Sequence, residues 1–237
     1  MKAEAYLFDS PVRYADALEL QERIHAARLA QRVPDSLLCL QHTPLVTLGR
    51  RGRDNWLKAS PSELEARGIE YYRASRGGDI TCHGPGQWVL YPIMELKGPA
   101  ADTHGYLWNL EEVAIRTAAD FGVEAVRREG MNGAWTAAGK IAAIGFRIKR
   151  WVTMHGMSFN ATAVPEGFGL IVPCGLEGQP VASLKTLLDD ECPAIEDVAR
   201  RLLANFSEVC GREIGSVTSV KSVADDCFGD RLGAAEG

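Results

Sequence analysis

Two periods of apolar and polar residues interchange along this chain, and each changeover marks an element. Between residues 14 and 32, Leu18, Ile24, Ala27 and Leu29 recur among charges, which predicts a first helix. Ser36–His42 and Leu45–Gly49 read as short strands on either side of Thr43-Pro44. Ser60-Pro61-Ser62-Glu63 has the form of a helix start: a capping serine, proline at the first helical position and glutamate at the third. That helix is expected to stop at Gly68. Ile69–Arg73, Asp79–His83 and Gln87–Leu96 then read as strands separated by glycine-rich turns.

Asp102 opens the next expected helix. Leu110, Val113, Ala114, Thr117, Ala118 and Phe121 share one face of it, and Gly122 closes it. Strands are expected over Val123–Arg127, Gly133–Ala137, Lys140–Lys149 and Val152–Asn160, with Asn132-Gly133 as a hairpin turn. Residues 161–181 are rich in glycine and proline and read as loop. A last amphipathic helix is expected near 195–210, with Ile195, Val198, Ala199, Leu202, Leu203, Phe206 and Val209 on one side. Helices before, between and after groups of strands predict an α+β fold, a mixed sheet packed with helices, over a regular βαβ alternation. Residues 1–217 are expected to form one catalytic domain, and 218–237 a loosely ordered tail.

At 237 residues and 46% hydrophobic, the chain can bury one sizeable core. Its net charge of −5 argues against nucleic acid as a partner. No apolar run approaches the roughly 20 residues of a membrane-spanning helix, and the N-terminus lacks the apolar core of a signal peptide. The six cysteines form no CxxC pair and mostly sit in apolar segments, so reduced thiols in a cytoplasmic protein are expected. Five histidines without ligand spacing argue against a metal site.

Three segments carry candidate chemistry. Cys174 lies in Pro173-Cys174-Gly175, where backbone amides could face a developing oxyanion; the alternative is a small buried hydrophobe, the reading that suits Cys39 and Cys210. Lys140 begins an apolar strand beside Ala142, Ala143 and Gly145, and could be either a reactive amine or a solvated edge residue. Arg76-Gly77-Gly78-Asp79-Ile80-Thr81-Cys82-His83 could bind an anion through amides and arginine, or be a glycine-rich hairpin. His83 and His155 each precede glycine and could be site residues or structural ones. Two basic clusters, Arg50, Arg51 and Arg53, and Arg147, Lys149 and Arg150, could be solvated or could dock an acidic protein. A thiol and an amine that raises its thiolate fraction suggest covalent acyl transfer.

Taken together, Gln41-His42-Thr43-Pro44 with Thr47-Leu48-Gly49-Arg50, Arg76-Gly77-Gly78 with Thr81, His83-Gly84-Pro85-Gly86-Gln87, Gly139-Lys140-Ile141 with Gly145, Trp151 with His155-Gly156 and Asn160, and Pro173-Cys174-Gly175 with Ser183-Leu184 resemble the lipoyl-pathway octanoyltransferases. These have the fold of the biotin/lipoate ligase superfamily. The resemblance implies an acyltransferase moving octanoyl groups from octanoyl-acyl carrier protein to a lysine of apo lipoyl domains and of the glycine cleavage H protein. It implies Cys174 as thioester nucleophile and Lys140 as its activator and proton shuttle. Residues 76–83, Ala143, Ile144, Gly145, Gly156, Met157 and Ser158 would hold the substrate. No cofactor is implied, since phosphopantetheine arrives on the carrier, and a monomer is expected. Asp79 and Cys82 depart from the family pattern: Asp79 brings a negative charge toward the site, and Cys82 is expected to be inert. An ATP-dependent lipoate or biotin ligase of the same fold, and a non-catalytic carrier-binding module, are the competing readings.

Overall fold

In a computed structural model, which describes residues 1–98, 101–172, 179–225, 228 and 232, the chain folds around two sheets. The strands are β1 (Lys2–Phe8), β2 (Asp35–Leu40), β3 (Leu45–Leu48), β4 (Glu70–Arg73), β5 (Ile80–His83), β6 (Gln87–Ile93), β7 (Val126–Arg128), β8 (Met131–Thr136), β9 (Gly139–Lys149), β10 (Val152–Asn160) and β11 (Glu213–Val220). The helices are α1 (Tyr14–Leu29), α2 (Pro61–Ala66), α3 (Thr103–Ala119), α4 (Leu184–Leu188) and α5 (Ile195–Cys210). The large sheet runs β11-β1-β2-β6-β10-β9-β8-β7 and the small one β4-β3-β5. β1 is parallel to both neighbours, and antiparallel pairing takes over from β2 onward, so the sheet is mixed, as the α+β reading requires.

β2 shows why the large sheet is buried on both faces. Its side chains alternate across the pleat. Leu37 and Cys39 join α3 and α5 in one core, and Leu38 and Leu40 join α1 in another. A strand with every residue buried can only be central. The helix-start signals hold in detail. Ser60 and Glu63 form the reciprocal capping box, and the Asp102 carboxylate accepts the His104 amide at 2.9 Å.

Three expectations change. Asn132-Gly133 is not the hairpin turn. Arg128 pairs with Met131, so the turn is Glu129-Gly130, and Gly130 supplies the positive φ of 72°. Asn132 and Gly133 lie inside β8, where Gly133 lets the Ala142 carbonyl approach ahead of a register shift at Ala134/Trp135. The first helix ends at Leu29, and Gln31 adopts φ 58°, where the expectation ran to 32. At the two chain ends, β1 and β11 were not expected. They pair in parallel from Lys2↔Glu213 to Phe8↔Val220, so the ordered chain continues past the boundary placed after 217. Phe228, buried, packs with its ring centroid 4.8 Å from that of Tyr6.

One buried ion cluster fastens β11 and the segment before it to the sheet. The two carboxylate oxygens of Asp35 receive Arg28 Nε and Arg212 Nε, each at 2.7 Å, and Arg28 also reaches Glu95 at 2.8 Å. Arg212 and Asp35 are almost wholly buried, so deleting one charge strands the other. Asp35→Ala is expected to cost about 3–5 kcal/mol. Urea denaturation checks it; a loss below about 1 kcal/mol contradicts this account.

Candidate active site

The site lies where the small sheet meets the large one. The loop after β4, residues 74–79, turns back across β9, and the Gly77 amide donates to the Phe146 carbonyl at 2.8 Å. A Cβ on Gly145 would sit 2.7 Å from the Gly77 carbonyl oxygen, so this crossing needs glycine. Beneath it is a cavity of about 410 Å³, within the range of small-molecule sites.

Arg76 anchors the loop. Its buried guanidinium donates from Nη2 to the Thr47 carbonyl at 2.8 Å, to Thr47 Oγ1 at 2.8 Å and to the Asp79 carbonyl at 2.9 Å. Nε also reaches Thr47 Oγ1, and Nη1 reaches the Gly77 carbonyl. The side chain thus ties the loop to β3 and fixes a cation in the cavity wall.

Lys140 stands at one end. Its Nζ lies 4.7 Å from the Trp135 ring centroid, a cation–π distance. Its backbone pairs with the chain that follows position 178: the Lys140 amide donates to the Pro180 carbonyl at 2.9 Å, and Ala182 N donates to the Lys140 carbonyl at 3.0 Å. Gln179, Pro180 and Val181 line the cavity beside it. Cys174 itself lies outside the described residues.

Of the other sequence candidates, Arg76, Gly78, Asp79, Ile80, Thr81, His83, Ala143, Ile144, Gly145, Gly156, Met157 and Ser158 all line this one cavity. Two do not. Gly77 faces β9 through its amide. Cys82 points the other way, into the small apolar core with Val46 and Ile171, where burial pushes its thiol pKa well up. Asp79 lines the site, with Arg51 Nε 3.8 Å from its carboxylate. Tyr14, Val89, Tyr91, Trp135 and Phe168 also line the wall and were not singled out from sequence. Each reads locally as core, and only the packing of α1, β6, β8 and the turn Glu166–Leu170 places it against the cavity.

The histidines of the cavity and its surround are held neutral by burial. His83 Nδ1 donates to Gln87 Oε1 at 2.7 Å, Gln87 Nε2 donates to Asn160 Oδ1 at 2.8 Å, and Asn160 Nδ2 donates to the Ala182 carbonyl at 2.9 Å. This relay joins a cavity histidine to the segment beside Lys140. Burial lowers the His83 pKa to about 3, with His42 and Arg76 adding repulsion. His155 falls to about 3 for the same first cause, with Arg76 and Arg147 adding to it. His42, which accepts from the Tyr91 hydroxyl at 2.7 Å, falls to about 4 through burial. His155 also holds φ 56°, an uncommon backbone state for a residue inside a strand.

Comparison with known proteins now has a geometry to meet. Residues 13–207 match the model of the lipoyl protein ligase A/B catalytic domain. The chain belongs to the lipoyl protein ligase A/B catalytic-domain family. Within this family, an octanoyltransferase of Caldicellulosiruptor saccharolyticus is 43% identical over 202 residues, covering 84% of this chain and 86% of that protein. An octanoyltransferase of Gloeobacter violaceus is 41% identical over 221 residues, covering 91% and 95%. Among solved structures, a putative lipoate protein ligase from T. acidophilum with bound lipoic acid aligns with TM-score 0.72 at 14% identity, over 94% of this chain and 91% of that one. Lipoate-protein ligase A bound with ATP aligns with TM-score 0.74 at 14% identity, again over 94% and 91%. The catalytic-domain fold of the family is therefore the fold seen here. Among the described residues no helix is long and apolar enough to cross a membrane, and no cluster has the makings of a metal site.

The neutral histidines make stability pH-dependent. Unfolded, each takes a proton near pH 6.5; folded, each resists until about 3 or 4. The unfolded chain therefore binds more protons below pH 6.5, and stability falls as pH falls through that window. The expected loss is on the order of 1 kcal/mol per histidine per pH unit. Denaturation at pH 7.5 and pH 5.5 checks it; equal stabilities contradict it.

Proposed function

We propose that this chain is an octanoyltransferase. It moves the octanoyl group of octanoyl-acyl carrier protein to the target lysine of apo lipoyl domains and the glycine cleavage H protein, through a thioester on Cys174. One observation carries the site assignment: Lys140 lines a largely apolar cavity and is backbone-paired to residues 180–182, a few positions after the Pro-Cys-Gly motif in the sequence. The relatives named octanoyltransferase, at about 40% identity over most of the chain, supply the acyl group.

The chemistry balances with two groups. The Cys174 thiolate attacks the thioester carbonyl and forms a new carbon–sulfur bond. The bond to the pantetheine sulfur breaks, and that sulfur leaves as a thiol with a proton from the Lys140 ammonium. A neutral lysine amine of the acceptor then attacks the acyl-enzyme. Lys140 takes the proton that this amine loses, the Cys174 thiolate departs, and an amide remains. The thioester is already activated, so neither nucleotide, metal nor other cofactor takes part.

Arg51 lines the cavity, with Arg50 and Arg53 exposed beside it. Arg147 and Lys149 lie in the second half of β9 and Arg150 in the turn after it, and none of the three lines the cavity. The first cluster, which reaches the cavity through Arg51, is the docking site for the acidic carrier.

Two experiments test this reading. Incubating the protein with octanoyl-acyl carrier protein, without ATP, should give a hydroxylamine-sensitive octanoyl adduct on Cys174 that is absent in Cys174→Ala. A free-acid, ATP-dependent reaction instead would replace it with the ligase reading. Reversing Arg50, Arg51 and Arg53 to glutamate should lower kcat/KM for the carrier by about tenfold or more and flatten its salt dependence. Reversing Arg147, Lys149 and Arg150 should do much less; equal effects contradict the assignment.

A further inference from the structure

The cavity has two chemically different ends. Along β9 and β10 the register sets Lys140 at one and His155, opposite Phe146, at the other. They are six residues apart on β9, roughly 20 Å at strand rise. Between them Ile80, Val89, Ile144, Met157 and Phe168 give an apolar wall suited to an acyl chain. An acyl group attached beside Lys140 would extend its tail toward His155.

That far end is not apolar. Tyr14 and His155 both line the cavity and are 2% and 1% exposed. Tyr14 Oη and His155 Nδ1 have no hydrogen-bond partner among the described residues. A buried polar atom without a partner carries a desolvation cost of about 1–3 kcal/mol, which a polar group reaching either atom from the cavity would relieve.

The neighbouring bonds define what that partner must offer. Arg147 Nη1 donates to Ser75 Oγ at 3.2 Å, and Ser75 Oγ lies 3.3 Å from His155 Nε2. The neutral ring presents a donor or an acceptor at Nδ1 according to its tautomer. The Tyr14 hydroxyl can both donate and accept. Arg76 adds positive potential at both groups, and Arg147 at His155. Such an end suits a hydroxyl, which also donates and accepts, and gains nothing from a methyl group.

We propose that this end of the cavity is a subsite for an oxygen atom at the far end of the acyl chain, so that the protein takes terminally oxygenated medium-chain acyl groups as well as plain ones. The proposal rests on the acyl-transfer reading and adds a substrate class to it. Tyr14 and His155 are its specificity-determining residues.

The test compares kcat/KM for octanoyl- and 8-hydroxyoctanoyl-acyl carrier protein with an apo lipoyl domain, in the full chain and in Tyr14→Phe. The readout is the ratio of the two substrates, in which any general loss of activity cancels. The hydroxylated chain should be used within about tenfold of octanoyl. Tyr14→Phe should lower the ratio of hydroxylated to plain by about tenfold, the worth of one buried hydrogen bond. Discrimination of about a hundredfold or more against the hydroxyl in the unaltered protein, as a wholly apolar end would give, overturns the proposal. So does a ratio that Tyr14→Phe leaves unmoved. If neither chain is transferred, the acyl-transfer reading fails, and calorimetry with octanoate and 8-hydroxyoctanoate decides the subsite. Comparable or tighter binding of the hydroxy acid supports it, and binding about a hundredfold weaker overturns it.

Discussion

The Arg76 guanidinium is the contact on which this site depends. It is buried, and its bonds to the Thr47 backbone and side chain and to the Gly77 and Asp79 carbonyls hold a glycine-rich loop against a three-stranded sheet. The loop in turn touches the large sheet through one amide bond to Phe146 and the close pass at Gly145. Without that pin, the backbone carbonyls that it satisfies would have no donor, and the loop would lose its reason to lie over β9. The cavity is the space left between two sheets fastened at this point. A lysine at 76 would offer a compact charge in place of a planar fork, and could not reach the same carbonyls with the same geometry.

Fixing a cation there also sets the electrostatics of the cavity. Three histidines near it are buried, and a protonated imidazole would face desolvation in each, with repulsion from Arg76 added at His83 and His155. They remain neutral hydrogen-bonding groups, each in a tautomer chosen by its partner. His83 gives its proton to Gln87, and His42 accepts from Tyr91. The site therefore carries positive charge at fixed places, on Arg76 in the wall and Lys140 at one end. That pattern suits an anionic thiolate or oxyanion near Lys140 and an uncharged chain in the interior.

Much of this was legible in the sequence, for reasons that differ by element. β10 was placed at Val152–Asn160 because its apolar run lies between a turn and a polar loop. α2, α3 and α5 were legible because their caps and apolar faces are local signals. Asn132-Gly133 misled because the turn was decided by strand register, which put Gly130 at the bend and used Gly133 for a close approach to Ala142. β11 was missed because its partner comes from the opposite end of the chain, and β1 because nothing in Lys2–Phe8 signals a match with Glu213–Val220 on one side or Asp35–Cys39 on the other. In the site, glycines and charged residues were visible as motifs. Tyr14, Tyr91 and Trp135 were not, because an aromatic residue on an apolar face is the ordinary look of a core. Cys82 shows the converse: inside the motif by sequence, it is turned by strand alternation into the small core, away from the cavity that Thr81 and His83 face.

The same scaffold carries lipoate ligases at 14% identity, one of them bound to ATP, so the fold alone does not choose a chemistry. The choice rests on how the acyl group arrives activated. A ligase must activate a free acid, and so must bind a nucleotide close to its lysine. A transferase receives a thioester, and needs only a nucleophile, a proton carrier and a place for the chain. In this chain the cavity wall offers room for the chain, Lys140 lines it, and residues 180–182 pair with the backbone of Lys140. That pairing fixes the lysine's backbone before a substrate arrives, the kind of preorganisation that the proposed transfer needs. The relay from His83 through Gln87 and Asn160 to Ala182 holds that pairing from the opposite side. A geometry that spends its buried hydrogen bonds on placing one backbone segment beside one lysine holds both in place before any substrate binds.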